Sequence, residues 1–141
     1  MKKILFVCTG NSCRSQMAEG FARHYANGRF EVRSAGIFPT GIHPMTIETM
    51  KEVAIDISGH CSTMLSASLM EWADYLVTLC GSARERKPRA PSHLTDLHWD
   101  IENPDILYTS EEDRRREFAR IRDEIGRRVA DLLSKIEKGE I

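Results

Sequence analysis

Apolar and polar positions along this chain follow two rhythms, and the switches between them mark its elements. Ile4, Leu5, Phe6 and Val7 form an unbroken apolar run, as in a strand buried on both faces, so a first strand is expected over Lys3 to Val7. From Ser15 to Ala26, Met17, Ala18, Phe21, Ala22 and Tyr25 recur at helical spacing, with Gly28 just beyond as a stop signal. Glu31 to Ala35 reads as a short second strand closed by Gly36. A second helix is expected from Pro44, a residue suited to the first helical position, with Ile47, Met50 and Val53 turned inward. Ile55 to Ser62 is irregular. Ser66 caps a short helix carrying Leu69, Met70 and Trp72, and Tyr75 to Leu79 is another buried strand, ending at Cys80-Gly81. From Ser82 to Pro104 the pattern lapses into polar residues broken by Pro88, Pro91 and Pro104, which predicts a long loop.

The last element is the most regular. Ser110 caps a helix with Glu111, Glu112 and Asp113 in its first turn, and Phe118, Ile121, Ile125, Val129, Leu132 and Ile136 form its core stripe. Its opposite face, rich in Arg and Glu, reads as solvated. Strands alternating with helices predict a single α/β domain over residues 1–141, an open parallel sheet with helices on both faces. Such sheets bind ligands at the carboxyl ends of their strands. The segment after Val7 and Cys80 both fall there.

Composition narrows the classes. The length of 141 residues suits one core, and 41% apolar residues is ordinary for a globular domain. A net charge of −1 argues against nucleic acid or an anionic membrane as a partner. Lys2-Lys3 before Ile4-Leu5-Phe6-Val7 imitates an export signal, but four apolar residues are too few and Phe6-Val7 too bulky to precede a cleavage site. No stretch approaches a membrane span, and the expected location is cytoplasmic. Cysteines stand at 8, 13, 61 and 80. The chain is long enough to need no disulfide scaffold, and neither a Cys-x2-Cys pair nor histidines at ligand spacing suggest a metal. Nucleotide-binding glycine loops are absent as well.

Candidate chemistry concentrates in Cys8-Thr9-Gly10-Asn11-Ser12-Cys13-Arg14-Ser15. A cysteine and an arginine five residues apart, where a strand hands over to a helix, suit attack on a tetrahedral oxyanion. Backbone N–H groups of Thr9, Gly10, Asn11, Ser12 and Cys13 can surround the anion at a helix N-terminus. Arg14 can grip two oxygens as a fork, and the same positive field favours the nucleophilic thiolate of Cys8. Ser15 can donate a hydrogen bond to that sulfur. Cys13, on the same loop, competes with Cys80 and with an external thiol as partner for Cys8. Cys61 reads as structural.

Val7-Cys8-Thr9-Gly10-Asn11-Ser12-Cys13-Arg14-Ser15-Gln16-Met17-Ala18-Glu19-Gly20 resembles the low-molecular-weight protein tyrosine phosphatase family, on its arsenate reductase branch. The resemblance extends through Ser34-Ala35-Gly36, Val77-Thr78-Leu79-Cys80-Gly81, His98-Trp99 and Arg122-Asp123-Glu124-Ile125-Gly126. Gln16 stands where the phosphatases usually carry proline. The resemblance implies a four-stranded parallel sheet, Cys8 as the attacking cysteine, Arg14 and Ser15 in support, and Cys80 as the second cysteine that resolves the adduct. It also implies an arsenate or phosphate oxyanion as ligand, no resident cofactor, and an external reductant, glutathione with glutaredoxin or thioredoxin. We expect a monomer.

Two departures from the family pattern stand out. Lys87 occupies the position of the third relay cysteine, beside Arg84 and Arg86 in a basic run that reads either as a solvated loop or as a patch that would attract an anionic thiol. Asn103 stands before Pro104 where an aspartate serves as general acid, leaving Glu102, Asp105 or Asp100 to substitute. Relatives that bind potassium do so near positions matching Asn11, Glu19 and Ser34, but Thr63 replaces a carboxylate and no ion is assigned. The alternatives are a tyrosine phosphatase using Cys8 and Arg14 in the same way, and a non-catalytic phosphate-binding module.

Overall fold

The computed structural model describes residues 1–141. Its elements run β1 (Lys2–Cys8), α1 (Arg14–Ala26), β2 (Phe30–Gly36), α2 (Pro44–Lys51), α3 (Ala67–Trp72), β3 (Tyr75–Thr78), α4 (Gly81–Arg86), β4 (Thr95–His98) and α5 (Glu111–Glu137). The sheet has four parallel strands in the order β2-β1-β3-β4, with helices on both faces. The central strand is the one with the unbroken apolar run: Ile4, Leu5, Phe6 and Val7 are each 0% exposed. α1 and α5 pack together against the sheet, with α2 joining them, while α3 and α4 lie against β1 and β3.

The two central strands and all three longer helices stand where periodicity expects them. Ser66 Oγ accepts from Leu69 N and Ser110 Oγ from Asp113 N, so both expected caps form. All six residues of the α5 stripe are buried. Tyr25 departs from its expected core position: it is 38% exposed, and α1 ends on Asn27 at φ 46°. On α2 the buried residues are Met45, Thr46, Thr49 and Met50, while Ile47 is half-buried and Val53, expected on the same face, lies half-buried beyond the helix end.

The expected long loop is wrong in part. Residues 82–104 contain most of α4 and all of β4. β4 is an edge strand with Thr95 and Asp96 exposed, so it carries no apolar run to betray it. α4 is capped by Cys80, whose sulfur accepts from Ala83 N at 3.4 Å, rather than by a typical capping residue. His98 lies in β4, where Nδ1 meets buried Thr78 Oγ1 at 2.7 Å, and Trp99 follows it against Phe6.

Candidate active site

β1 delivers Cys8 to its C-terminal end, and α1 begins six residues later at Arg14. Cys13, at the cap position, makes no side-chain cap bond, which leaves the first amides of α1 available to an anion. The loop's carbonyls are spent elsewhere. Cys8 O accepts from Ile37 N at 3.2 Å, Thr9 O from Phe38 N at 2.8 Å, Gly10 O from Thr40 N at 3.0 Å and Ser12 O from His43 N at 3.2 Å. Ser62 Oγ reaches Gly10 O and Asn11 O at 3.1 and 3.2 Å. With its carbonyls engaged by neighbours, the loop offers an anion its N–H groups.

Asn11 holds the turn together. Its backbone sits at φ 48°, a left-handed conformation. Its fully buried side chain donates to Ser15 Oγ at 2.7 Å and Ser34 Oγ at 3.0 Å and accepts from Thr63 N at 2.8 Å. Gly36 must be glycine for the same loop, since an added Cβ would stand 2.8 Å from Asn11 N and Thr9 O. Gln16, 0% exposed, donates to Asn11 O and Cys61 O at 3.2 and 3.0 Å.

Cys8 Sγ lies 2.9 Å from Ser15 Oγ. Because Ser15 Oγ already accepts from Asn11, its own proton is free to point at the sulfur. Arg14 Nη1 donates to Ile101 O at 3.0 Å, which anchors the guanidinium and leaves its other N–H groups for a ligand. Cys80 arrives from β3. Val7 pairs with Thr78 and Leu79 N donates to Val7 O, so the two cysteines leave adjacent strands one residue out of step. Neighbouring strands lie about 4.8 Å apart, the order of separation that a disulfide requires, with Cα atoms within about 7 Å. Thr9 Oγ1 sits 3.2 Å from Cys80 Sγ.

The remaining cysteines differ. Cys13 is buried, and that burial pushes its thiol up to about 11. Cys61 is exposed, and its carbonyl rather than its thiol meets the loop through Gln16.

A model of the low molecular weight phosphotyrosine protein phosphatases matches residues 3–140. The chain belongs to this family. Among its relatives, the arsenate reductase of Shouchella clausii is 46% identical over 128 residues, covering 91% of this chain and 92% of that protein. The arsenate reductase of Bacillus subtilis is 45% identical over 131 residues, 93% of this chain and 94% of that protein. Among solved structures, a thioredoxin-dependent arsenate reductase of Corynebacterium glutamicum superposes with a TM-score of 0.81 at 30% identity over 99% of this chain. This chain spans 63% of that protein's length. The low molecular weight protein tyrosine phosphatase of T. tengcongensis gives a TM-score of 0.79 at 25% identity, over 96% of this chain and 99% of that one.

Several family positions are changed here. Asn103 Oδ1 accepts from Asp105 N at 3.0 Å, so the residue at the acid position serves the turn. Glu102 is an exposed partner of Arg120 at 2.9 Å, engaged with α5, whereas Asp105 Oδ1 lies 3.5 Å from His43 Nε2. Asp100 is exposed. The positions matched to the family's potassium site, Glu19, Ser34 and Asn11, are bound to protein partners. Glu19 already meets Arg23 at 2.7 Å and accepts from Ser34, and the acceptor oxygen of Asn11 is taken by Thr63 N. In the basic run Lys87 pairs with Asp96 at 2.7 Å and Arg86 lies over the Phe38 ring, while neither Arg84 nor Arg86 forms an ion pair.

His43, Thr40, Ser62 and the Ile101 carbonyl escaped the sequence reading. Only His43 left a signal, standing before Pro44 where a helix cap belongs. The others act through contacts made across the fold.

Proposed function

We propose that this chain reduces arsenate to arsenite with thiols. The observation that carries the reading is the 3.2 Å contact between Thr9 Oγ1 and Cys80 Sγ, which sets a second thiol beside the oxyanion loop. A phosphatase has no use for a thiol there. In the proposed cycle Cys8 thiolate attacks As(V) held by the loop amides and Arg14. One arsenate oxygen leaves as water after protonation, for which Asp105, facing His43 rather than an arginine, is the candidate carboxyl group. Cys80, as thiolate, then attacks Cys8 Sγ. The sulfur–arsenic bonding pair passes to arsenic, As(III) departs as arsenite, and a Cys8–Cys80 disulfide remains. Two electrons and two protons from an external thiol, glutathione with glutaredoxin or thioredoxin, restore the Cys8 and Cys80 thiols. Lys87 at the third relay position supports direct reduction of this disulfide by the external thiol. No helix is long and apolar enough to cross a membrane.

Phosphorus cannot accept the electron pair, so a phosphocysteine can only be hydrolysed, and slow aryl-phosphate hydrolysis is an expected side activity. Cys80→Ser therefore separates the two chemistries. It should stop multiple-turnover arsenate reduction while aryl-phosphate hydrolysis continues near the wild-type rate. Cys8→Ser should end both. Equal loss of both activities in Cys80→Ser would make Cys80 structural, and undiminished arsenate turnover would assign resolution to the external thiol.

A further inference from the structure

We infer that His43 is a positioning residue that aims the Asp105 carboxylate at the oxyanion loop, and that this pair supplies the proton-donor function left open by Asn103. The inference deepens the reading of Cys8 as nucleophile and rests on it, though not on arsenate being the oxyanion.

Almost every group of His43 is committed. Its backbone N–H donates to Ser12 O at 3.2 Å, tying it to the oxyanion loop. Its Nδ1 accepts from Met45 N at 3.0 Å and so caps α2. Its ring packs against Phe118, centroid to centroid 5.2 Å. A ring nitrogen that accepts carries no proton, so in the neutral imidazole the proton resides on Nε2. That N–H is the one group left, and Nε2 stands 3.5 Å from Asp105 Oδ1.

Asp105 is placed from the other side. Arg14 holds Ile101 O at 3.0 Å, and the Asn103 side chain closes the turn on Asp105 N at 3.0 Å. The segment from Ile101 to Asp105 thus runs from the arginine at the start of α1 to the cap of α2. The Asp105 charge reaches into the loop, where it adds to the upward shift of the Cys13 thiol behind the larger effect of burial. With Oδ1 facing His43, Oδ2 is free to carry a proton. It would protonate the leaving oxygen as the sulfur bond forms, and the carboxylate would recover a proton from the water that later attacks a phosphocysteine.

A cap alone does not require histidine, and this permits a clean test. In His43→Asn the side-chain oxygen can still cap α2 but is too short to reach Asp105. The two variants and their combination would be assayed on phenyl phosphate, a poor leaving group, and p-nitrophenyl phosphate, a good one. Asp105→Asn should lower kcat/KM by ~100-fold on the first and less than ~5-fold on the second, and His43→Asn should follow with ~10-fold and ~2-fold. The double variant should be no slower than Asp105→Asn. Equal losses on both substrates, or none, in His43→Asn would overturn the proposal.

Nitrogen-15 NMR of the imidazole provides a readout without turnover. Nε2 should be the protonated nitrogen, and its signal should move in Asp105→Asn. An unmoved signal would overturn the contact. Loss of arsenate turnover with the leaving-group pattern intact would reject the reductase reading and sustain the His43–Asp105 pair.

Discussion

Asn11 concentrates three roles in one side chain: it occupies a left-handed turn, donates to Ser15 and Ser34, and accepts from Thr63 N. Asn11→Ala would strand buried partners at about 1–3 kcal/mol each and add about 1–2 kcal/mol of backbone strain. A total near 4 kcal/mol is expected by urea denaturation, together with lost oxyanion affinity. Cys13 predicts a pH effect. Its ordinary value of 9.0 is raised to about 11 in the folded protein, first of all by burial. Between those values the unfolded chain has lost the proton while the folded one retains it. The stabilisation is therefore complete below pH 9 and disappears as pH rises through about 11. Wild type should lose about 3 kcal/mol more than Cys13→Ala over that window. Equal alkaline slopes for the two proteins in denaturant titrations would contradict the burial argument.

Elements are joined by a few polar contacts that cross between them. Arg122 lies beside the core stripe of α5, one turn from Phe118 and Ile125, and is 8% exposed. Its Nη1 donates to Thr49 O at 3.0 Å and to Glu52 at 2.9 Å, which fastens α5 to α2. Lys87, just past α4, pairs with Asp96 of β4 at 2.7 Å and holds the short helix near the sheet edge. Because Asp96 is partly exposed, a double-mutant cycle on Lys87→Ala and Asp96→Ala should give a coupling of about 0.5–1 kcal/mol that shrinks with added salt. No coupling at low salt would mean that α4 is held by its cap and apolar contacts alone. Ser110→Ala should cost about 1 kcal/mol through the lost bond to Asp113 N, measurable by thermal unfolding.

At the scale of the whole molecule, parallel topology does the decisive work. β1 and β3 are neighbours running in one direction, so both cysteine-bearing ends open on the same edge of the sheet. The loop amides belong to a single folded domain, so an oxyanion that binds them stabilises the whole chain by mass action. Phosphate at 100 times its dissociation constant should add about 2.7 kcal/mol of stability. Cys8→Ser should keep this gain, since the amides and Arg14 remain. Arg14→Lys should lose much of it, because an ammonium cannot reproduce the fork. An unchanged melting temperature with phosphate in both wild type and Cys8→Ser would argue against an anion site in the loop.

Local order in the sequence determined the central strand, α1, α2, α5 and the Cys8–Ser15 loop, because hydrophobic period, capping residues and the strand-to-helix handover are all written within a few residues of one another. It also singled out Cys80 at a strand end. Tertiary structure alone decided β4, whose edge position demands no apolar run, and α4, whose cap is a cysteine sulfur. Partners 18 residues or more away in sequence neutralised Glu102 and buried Arg122. The contact of Asp105 with His43 joins residues that no spacing rule connects. Such pairings depend on how the sheet and helices are stacked, and burial and pair distances exist only once that stacking is complete.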